Sequence, residues 1–396
     1  MEDIRVVIGA NFGDEGKGLM TYHFAEEARK NNRSCLVVCS NGGAQRGHTV
    51  RDSGEVRHVF HHFGSGTFAG AATCLPYFFI LNPMLFVKEY YELREEFDKV
   101  PRLRGRDIPA VYIDPDCPVS TPFDMIMNQI LEESRGNGRH GSCGMGIWET
   151  LVRDGLRWGE MAAMKDEELY FYLKEDCRAY LRKRILNKGV KNVRAEWQEI
   201  ISNDGLIEHY IEDFRVMQSI CKVADVRIFD SFDRVIFENG QGLLLDRCRR
   251  EYGNNTTPSN TGLRNPAALV REYLLGKSKS KNNVVDMEVC YVTRTYLTRH
   301  GAGRFDEECD KEEINPDMVD LTNVPNPHQG TLRYGKLEKA AFLKRIKNDF
   351  DSERLPENIN IRRTIAVTHV NEFANPLGEE ADYISSEEAG DIIKNR

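Results

Sequence analysis

Fifteen residues near the start of the chain, Val6 to Met20, read VVIGANFGDEGKGLM, and they constrain the fold more than any other stretch. The run IRVVIGA (Ile4–Ala10) is apolar and β-branched, which predicts a strand buried on both faces. From Leu19 to Lys30, Met20, Phe24 and Ala28 recur at four-residue spacing and predict a helix with one apolar face. CLVVCS (Cys35–Ser40) predicts a second strand. Strand, glycine loop, helix and strand form a βαβ unit. Its loop lies at the carboxyl edge of a parallel sheet, where a helix N-terminus favours an anion.

Later runs extend the same pattern. IPAVYID (Ile108–Asp114) and RTIAVTHVNEF (Arg363–Phe373) read as buried strands, and DRVIFENGQG (Asp233–Gly242) as a strand followed by a turn. The stretch from about Leu156 to Lys188 is dense in Glu, Lys, Leu and Tyr, and predicts a helical insertion over roughly residues 156–226. No internal repeat or low-complexity linker divides the 396 residues. The expected fold is α/β: one large domain over residues 1–396, built on a mostly parallel central sheet with helical and loop insertions. LGKSKSKNN (Leu275–Asn283) predicts a mobile surface loop, and the acidic tail after Phe373 a solvated terminal helix.

Composition excludes some functions. A net charge of −8 opposes broad nucleic-acid binding, which needs a basic surface. The longest apolar runs, such as CLPYFFIL (Cys74–Leu81), are too short to span a bilayer. The chain opens MEDIR and runs directly into a strand, so no leader is expected and the predicted location is the cytoplasm, the host's if the chain is phage-encoded. None of the ten cysteines forms a C-x-x-C pair, which predicts reduced, mostly buried thiols and no structural zinc.

The glycine loop departs from the common phosphate-loop pattern G-x-x-x-x-G-K-[ST]. Gly16 and Lys17 match, but Asn11 stands at the first glycine and Gly18 at the hydroxyl position, while Asp14 and Glu15 lie inside. The glycines let the backbone approach a ligand, Lys17 can reach a phosphate oxygen, and a carboxylate there can hold Mg²⁺ or take a proton. The plain alternative is a glycine turn with acids at a helix start. In NGGAQRGHTV (Asn41–Val50), Gly47-His48-Thr49 follows the second strand and places an imidazole at the same sheet edge, where it can pair with a carboxylate in acid–base chemistry. A lone loop histidine can equally be structural. His61 and His62 read as structural, because strand alternation sends them to opposite faces.

In order, GDEGKG from Gly13, GHTV from Gly47, VFHHFGSGTF from Val59, GSCGMGI from Gly141, RDGLRWGEM from Arg153, FENGQGLLLD from Phe237, TPSNT from Thr257 and TRHGAGRF from Thr298 resemble the motifs of the adenylosuccinate synthetase family. The family counterparts of four of these are G-T-T-G-R-G-I, R-R-G-L-R-V-G-D, F-E-G-A-Q-G-x-L-L-D and T-R-V-G-A-G-P-F. The resemblance runs from about residue 4 to 373. It implies a two-step reaction in which the 6-oxo group of a purine monophosphate is phosphorylated and the amine of L-aspartate then displaces that phosphate. It implies Asp14 as the base at purine N1, and Lys17, His48 and Mg²⁺ as stabilisers of the transferring phosphoryl group. Gly13, Glu15, Gly16, Gly18, Gly47 and Thr49 would line the nucleotide phosphates, with Asp14 and Gly47 as metal ligands. Gln241, Ser142, Cys143 and Thr257 would hold the purine monophosphate. Arg153 would be lent across the interface of a homodimer with shared active sites.

Three departures bear on specificity. The family selects GTP with T-K-x-D; here THVN (Thr368–Asn371) puts His369 and Asn371 in that segment. An asparagine amide offers one acceptor and one donor, which suits adenine rather than guanine, so ATP or dATP is the expected donor. The family's arginine-rich aspartate loop reads PHQGTLRYG (Pro327–Gly335), leaving Thr331 and Arg333 as the expected aspartate-binding pair. GSCGMGIW lacks the family's threonine pair and arginine. These changes resemble a divergent phage branch that makes succino-2-aminoadenylate, the precursor of 2-aminoadenine, from dGMP or GMP. Retained Asp14 speaks for the ordinary reaction on IMP with GTP. A nucleotide-binding switch and an inactive homologue are the remaining alternatives.

Overall fold

The computed structural model describes residues 3–52, 56–276, 284–317, 331–386 and 391–394. Its centre is a ten-stranded sheet. Across the sheet the strands run Asp391–Lys394, Tyr383–Ser386, Ile359–Thr368, Val285–Arg294, Asp3–Gly9, Arg234–Gly242, Cys35–Cys39, Ala72–Leu75, Val111–Ile113 and Lys222–Val223. Each neighbouring pair is parallel except the outermost, where Tyr383–Ser386 and Asp391–Lys394 run antiparallel. The expected α/β fold with a mostly parallel central sheet is therefore present.

The first strand lies between Arg234–Gly242 and Val285–Arg294, so the loop that follows it opens at the middle of the sheet's carboxyl edge. Both faces are covered, which is why Cys35–Cys39 and Arg234–Gly242 are buried along their whole length. On one face, Met20, Phe24 and Ala28 of helix Lys17–Lys30 pack on Val7, Val37 and Ile236, as the four-residue spacing predicts. On the other, helices Arg264–Leu275 and Lys339–Phe350 bring Leu269, Val270, Phe342 and Ile346 onto Val235, Phe237 and Val289.

A further core gathers helices Pro83–Lys99, Pro122–Ser134 and Gly205–Ile220 around Phe86, Phe123, Trp158 and Phe214. The segment read as helical from Leu156 is broken into Trp158–Ala163, Asp166–Phe171, a widened π turn at Tyr172–Cys177, and Arg178–Asn187. Leu169, Leu173, Cys177, Leu181 and Ile185 keep one buried stripe through the last three. The break before Asp166 is capped locally, with the Lys165 N–H donating to Glu168 at 2.8 Å.

Among its described residues the acidic tail forms strands and not an α-helix. Tyr383–Ser386 and Asp391–Lys394 add two strands beside Ile359–Thr368. The unpaired edge of that long strand takes the tail's backbone, and Tyr383 turns inward to donate its hydroxyl to Glu288 at 2.6 Å. DRVIFENGQG stays extended through Gly242 instead of turning. Most of the lysine-rich loop, residues 277–283, and residues 327–330 of PHQG lie outside the described residues. Cys35, Cys39, Cys74, Cys117, Cys177 and Cys290 are buried free thiols. Among the described residues no helix is long and apolar enough to cross a membrane.

Candidate active site

The glycine loop is held from both sides. Gly16 takes φ +92°, a left-handed conformation, as it caps helix Lys17–Lys30. A Cβ there would come within 2.9 Å of Thr368 Cγ2, so the loop rests against the end of the Ile359–Thr368 strand. Thr368 Oγ1 in turn donates to the Glu15 carbonyl at 3.0 Å. From the next layer, Arg345 donates to the carbonyl of Ala10 at 2.7 Å.

Inside the loop, Glu15 Oε1 accepts the backbone N–H groups of Gly13 (2.7 Å) and Asn11 (3.1 Å). Lys17 is fully buried, bonded to the Gly13 carbonyl and 3.5 Å from Glu15 Oε2. Backbone donors and a buried ammonium around one carboxylate are the groups that seat a phosphate oxygen. Burial raises the Glu15 carboxyl above its ordinary value even beside Lys17, and Oε2 has no hydrogen-bond partner.

Asp14 sits at the loop's rim. Its carbonyl accepts from Arg294, and its Oδ2 lies 3.2 Å from His300 Nε2. Burial alone would raise its carboxyl. His300, with Arg294 and Lys17 nearby, outweighs that and holds it below the ordinary value, so it is ionised at neutral pH. Magnesium binds through one or two carboxylates together with phosphate oxygens. Asp14, ionised at the rim of the loop, is one such carboxylate, and among the described residues no cluster of three His, Cys, Asp or Glu side chains forms a ready-made metal site. Gly47, exposed and next to His48, is the other expected ligand.

His48 begins the strand His48–Asp52, which pairs with Val56–Phe60 in a hairpin laid against the start of the Lys17–Lys30 helix. A Cβ on Gly18 would come within 3.0 Å of His48 Cβ and 3.1 Å of the Thr49 carbonyl. Thr49 itself accepts from Arg57 at 3.4 Å. His48 Nδ1 is 2.6 Å from Glu238, and Nε2 is 3.2 Å from the Gly240 carbonyl, so both ring nitrogens face acceptors. Glu238, fully buried, also accepts from Arg46 at 2.8 Å and from the Ser65 N–H at 3.1 Å. Burial would raise its carboxyl, but Arg46 and His48 hold it well below the usual range. Gln241, three residues on, accepts from Asn41 at 3.1 Å while its Nε2 is buried without a partner. Gln45, whose amide is also unpartnered, borders Gln241 across Gly42.

The loop expected to seat the monophosphate lies across the same edge. Gly141 meets the turn after His300 so closely that a Cβ would be 3.1 Å from Gly301 Cα. Ser142 accepts from Asn128 at 2.8 Å, and Cys143 is a half-buried free thiol. The Thr257 N–H donates to the Leu245 carbonyl at 2.8 Å. Arg333 pairs with both oxygens of Glu308 and donates to the carbonyls of Gly303 (2.9 Å) and Gly301 (3.2 Å), which puts it beside the His300 turn, and Thr331 is exposed. His369 is buried at φ +59°, with Nδ1 2.9 Å from Thr368 Oγ1, and Asn371 is exposed just past the strand.

Arg153, expected at a dimer interface, is bonded within its own chain. Its guanidinium pairs with both oxygens of Asp124 (2.8 and 3.0 Å), and bonds Tyr172 and the Val119 carbonyl, each at 2.8 Å. Within this chain the guanidinium is held at the start of the Pro122–Ser134 helix. His62 is buried, accepting from the Asn82 N–H at 3.1 Å, which agrees with a structural role. Sequence reasoning missed Glu238, Gln45 and His300. Glu238 and Gln45 each lie three residues from a residue that was named, Gln241 and His48. His300 stands where the T-R-V-G-A-G-P-F pattern has valine, but its contact with Asp14, 286 positions away, follows only from the fold.

A family model described as adenylosuccinate synthetase matches residues 6–323. Adenylosuccinate synthetase of Alkaliphilus metalliredigens (strain QYMF) is 26% identical over 312 residues, covering 78% of this chain and 66% of the relative. That of Bacillus subtilis (strain 168) is 27% identical over 321 residues, covering 80% and 67%. The matched stretch thus spans about two thirds of those relatives' length. The fold is similar to that of fully ligated adenylosuccinate synthetase from Plasmodium falciparum, with TM-score 0.62 and 18% identity over 93% of this chain and 77% of that one. It is equally similar, at TM-score 0.62 and 13% identity, to cyanophage S-2L succinoaminodeoxyadenylate synthetase bound to dGMP and dATP, over 100% of this chain and 95% of that one. With four fifths of its length matched by the family model and the family's motifs gathered at one sheet edge, the chain belongs to the adenylosuccinate synthetase family.

Proposed function

We propose that this protein is a carbon–nitrogen ligase acting on a purine nucleoside monophosphate, L-aspartate and a nucleoside triphosphate. The observation that carries the reaction class is convergence. Asp14, Lys17, His48 and Gln241 come from three separate segments to one edge, where Glu15 Oε2, Gln45 and Gln241 Nε2 are buried and unpartnered. Buried polar atoms without partners mark a place built for polar ligand groups.

In the first step Asp14 takes the proton from purine N1, which makes O6 nucleophilic. O6 bonds to the γ-phosphorus as the bridging oxygen leaves with the diphosphate, and Lys17 and His48 stabilise the phosphoryl oxygens. Asp14 and the Gly47 backbone would hold magnesium, which would supply charge neutralisation there. In the second step the aspartate amine bonds to C6 and inorganic phosphate leaves, its amine protons passing to solvent. Gln241 holds the purine, and Ser142, Cys143 and Thr257 its phosphate. Thr331 and Arg333 take the aspartate carboxylates. A homodimer belongs to the same reading, with Arg153 released from Asp124 to serve the partner's phosphate. The cytoplasm is the proposed location.

For substrate, we favour dGMP or GMP with ATP or dATP, giving N6-succino-2-amino-(deoxy)adenylate. Asn371 supports an adenine donor, and the phage protein of the same fold was seen with dGMP and dATP. A second reading, IMP with GTP, draws support from retained Asp14 and from the bacterial relatives named above. Mass spectrometry of products separates them. Purified protein, Mg²⁺ and L-aspartate are mixed with IMP, GMP or dGMP, each with ATP or GTP. A succinylated 2-aminopurine formed with ATP is the expected result. A product from IMP and GTP alone overturns the substrate assignment, and no succinylated product overturns the ligase reading.

A further inference from the structure

We propose that His300 is a positioning residue, which fixes the orientation in which Asp14 meets the purine ring and ties it to the loops on either side. The inference rests on the reading of Asp14 as the base. Asp14 lies between Gly13 and Gly16, with its side chain at the rim of the loop. Its main chain is fixed by Arg294 and its carboxylate by His300 Nε2 at 3.2 Å. The two side chains are 27% and 28% exposed, so the pair lines the open edge of the site and is not part of the packed core. With Oδ2 accepting from the imidazole N–H, Oδ1 is the oxygen left to receive the ring proton.

The turn that begins at His300 is gripped from two directions. Gly141, in the loop assigned to the monophosphate, lies against Gly301 and Ala302, where a Cβ would come within 3.1 and 3.3 Å. Arg333, assigned to aspartate, bonds the carbonyls of Gly301 and Gly303, and Arg299 bonds that of Ala302 at 3.1 Å. A shift of either loop on binding its substrate therefore moves His300, and with it Asp14. The valine at this point in the T-R-V-G-A-G-P-F pattern has no donor, so the contact is a property of this chain.

The test compares wild type, His300→Ala and His300→Gln as full-length proteins, with kcat and KM measured for each of the three substrates. Glutamine places an amide N–H near the position of Nε2. His300→Ala is expected to lower kcat by on the order of 10²-fold, the effect of misplacing a reacting group by about an ångström, with KM for the triphosphate within about twofold. His300→Gln is expected to recover about tenfold of that loss. A kcat for His300→Ala within twofold of wild type overturns the proposal, as does an equal loss in both variants. Imidazole ¹⁵N spectra of histidine-labelled protein need no turnover: the signals missing from His300→Gln identify His300, and Asp14→Asn must shift them. Unshifted signals overturn the pairing. A shift in a protein that converts no purine monophosphate upholds the pairing and overturns the ligase reading instead.

Discussion

His58 never reaches the active edge, yet it sets an alkaline limit on the hairpin that delivers His48. In that hairpin His58 stands opposite Val50, and Phe60 opposite His48. His58 Nδ1 lies 2.8 Å from Glu96 and Nε2 3.6 Å from Glu89, both on helix Pro83–Lys99. Glu89 also accepts the N–H groups of His61 (2.8 Å) and His62 (2.7 Å), so the cluster clamps the Val56–Phe60 strand and the residues after it to the helix. Burial would lower the His58 pKa, but Glu89 and Glu96 outweigh it and raise it from 6.5 to about 9. A folded-state value above the unfolded one means the contribution is complete below pH 6.5 and is lost as pH rises through 9. At 1.36 kcal/mol per pH unit this amounts to about 3 kcal/mol. With an unfolding entropy of roughly 0.8 kcal/mol/K for a chain of this length, it corresponds to about 4 °C in Tm. Thermal unfolding of wild type and His58→Gln from pH 6 to 10 reads it directly. The gap between them is expected to narrow by about 4 °C, with turnover falling over the same limb. A gap that stays constant across the range would refute a charged His58 in the clamp.

Other expectations follow from the site. Asp14→Ala should lower turnover by about 10²-fold or more; its partly exposed pair contributes at most about 1 kcal/mol, so Tm should move by only about 1 °C, and near-normal activity would remove Asp14 as base. Asn371→Asp should move the ATP-to-GTP ratio of kcat/KM toward GTP by roughly tenfold, measured by competition, and an unchanged ratio would detach Asn371 from base selection. Glu238→Gln leaves Arg46 buried beside a neutral amide and should destabilise by about 3–5 kcal/mol while depressing kcat, read by denaturant unfolding and steady-state assay; a loss below about 1 kcal/mol would show that the carboxylate does not hold the cluster.

How far this was legible from sequence follows the range of the interactions. The Ile4–Ala10 strand, its glycine loop and the helix through Ala28 were readable because each rests on spacing within a few residues, and the helix begins only two residues earlier than the Leu19 start of the pattern. The tail failed for the opposite reason: its strands exist only because Ile359–Thr368 leaves an edge to pair with, which no local pattern encodes. Asp14, Lys17 and His48 could be named from the company of glycines. Glu238 looked like one more letter of a motif until folding put Arg46, His48 and Ser65 around it. Arg153 shows the converse, since its motif position says nothing of Asp124, 29 residues earlier, which takes its guanidinium.

Glu15 has a consequence for which molecules the loop retains. Its carboxylate occupies the backbone donors of Asn11 and Gly13 beside Lys17, and being tethered it competes at an effective concentration on the order of millimolar or higher. A lone phosphate ion has only those same few contacts with which to displace it. A triphosphate brings base, ribose and two further phosphates to bear elsewhere along the edge. The loop thus acts as a threshold, admitting ligands by the number of places they hold at once and leaving free phosphate, a product of the proposed reaction, a weak competitor.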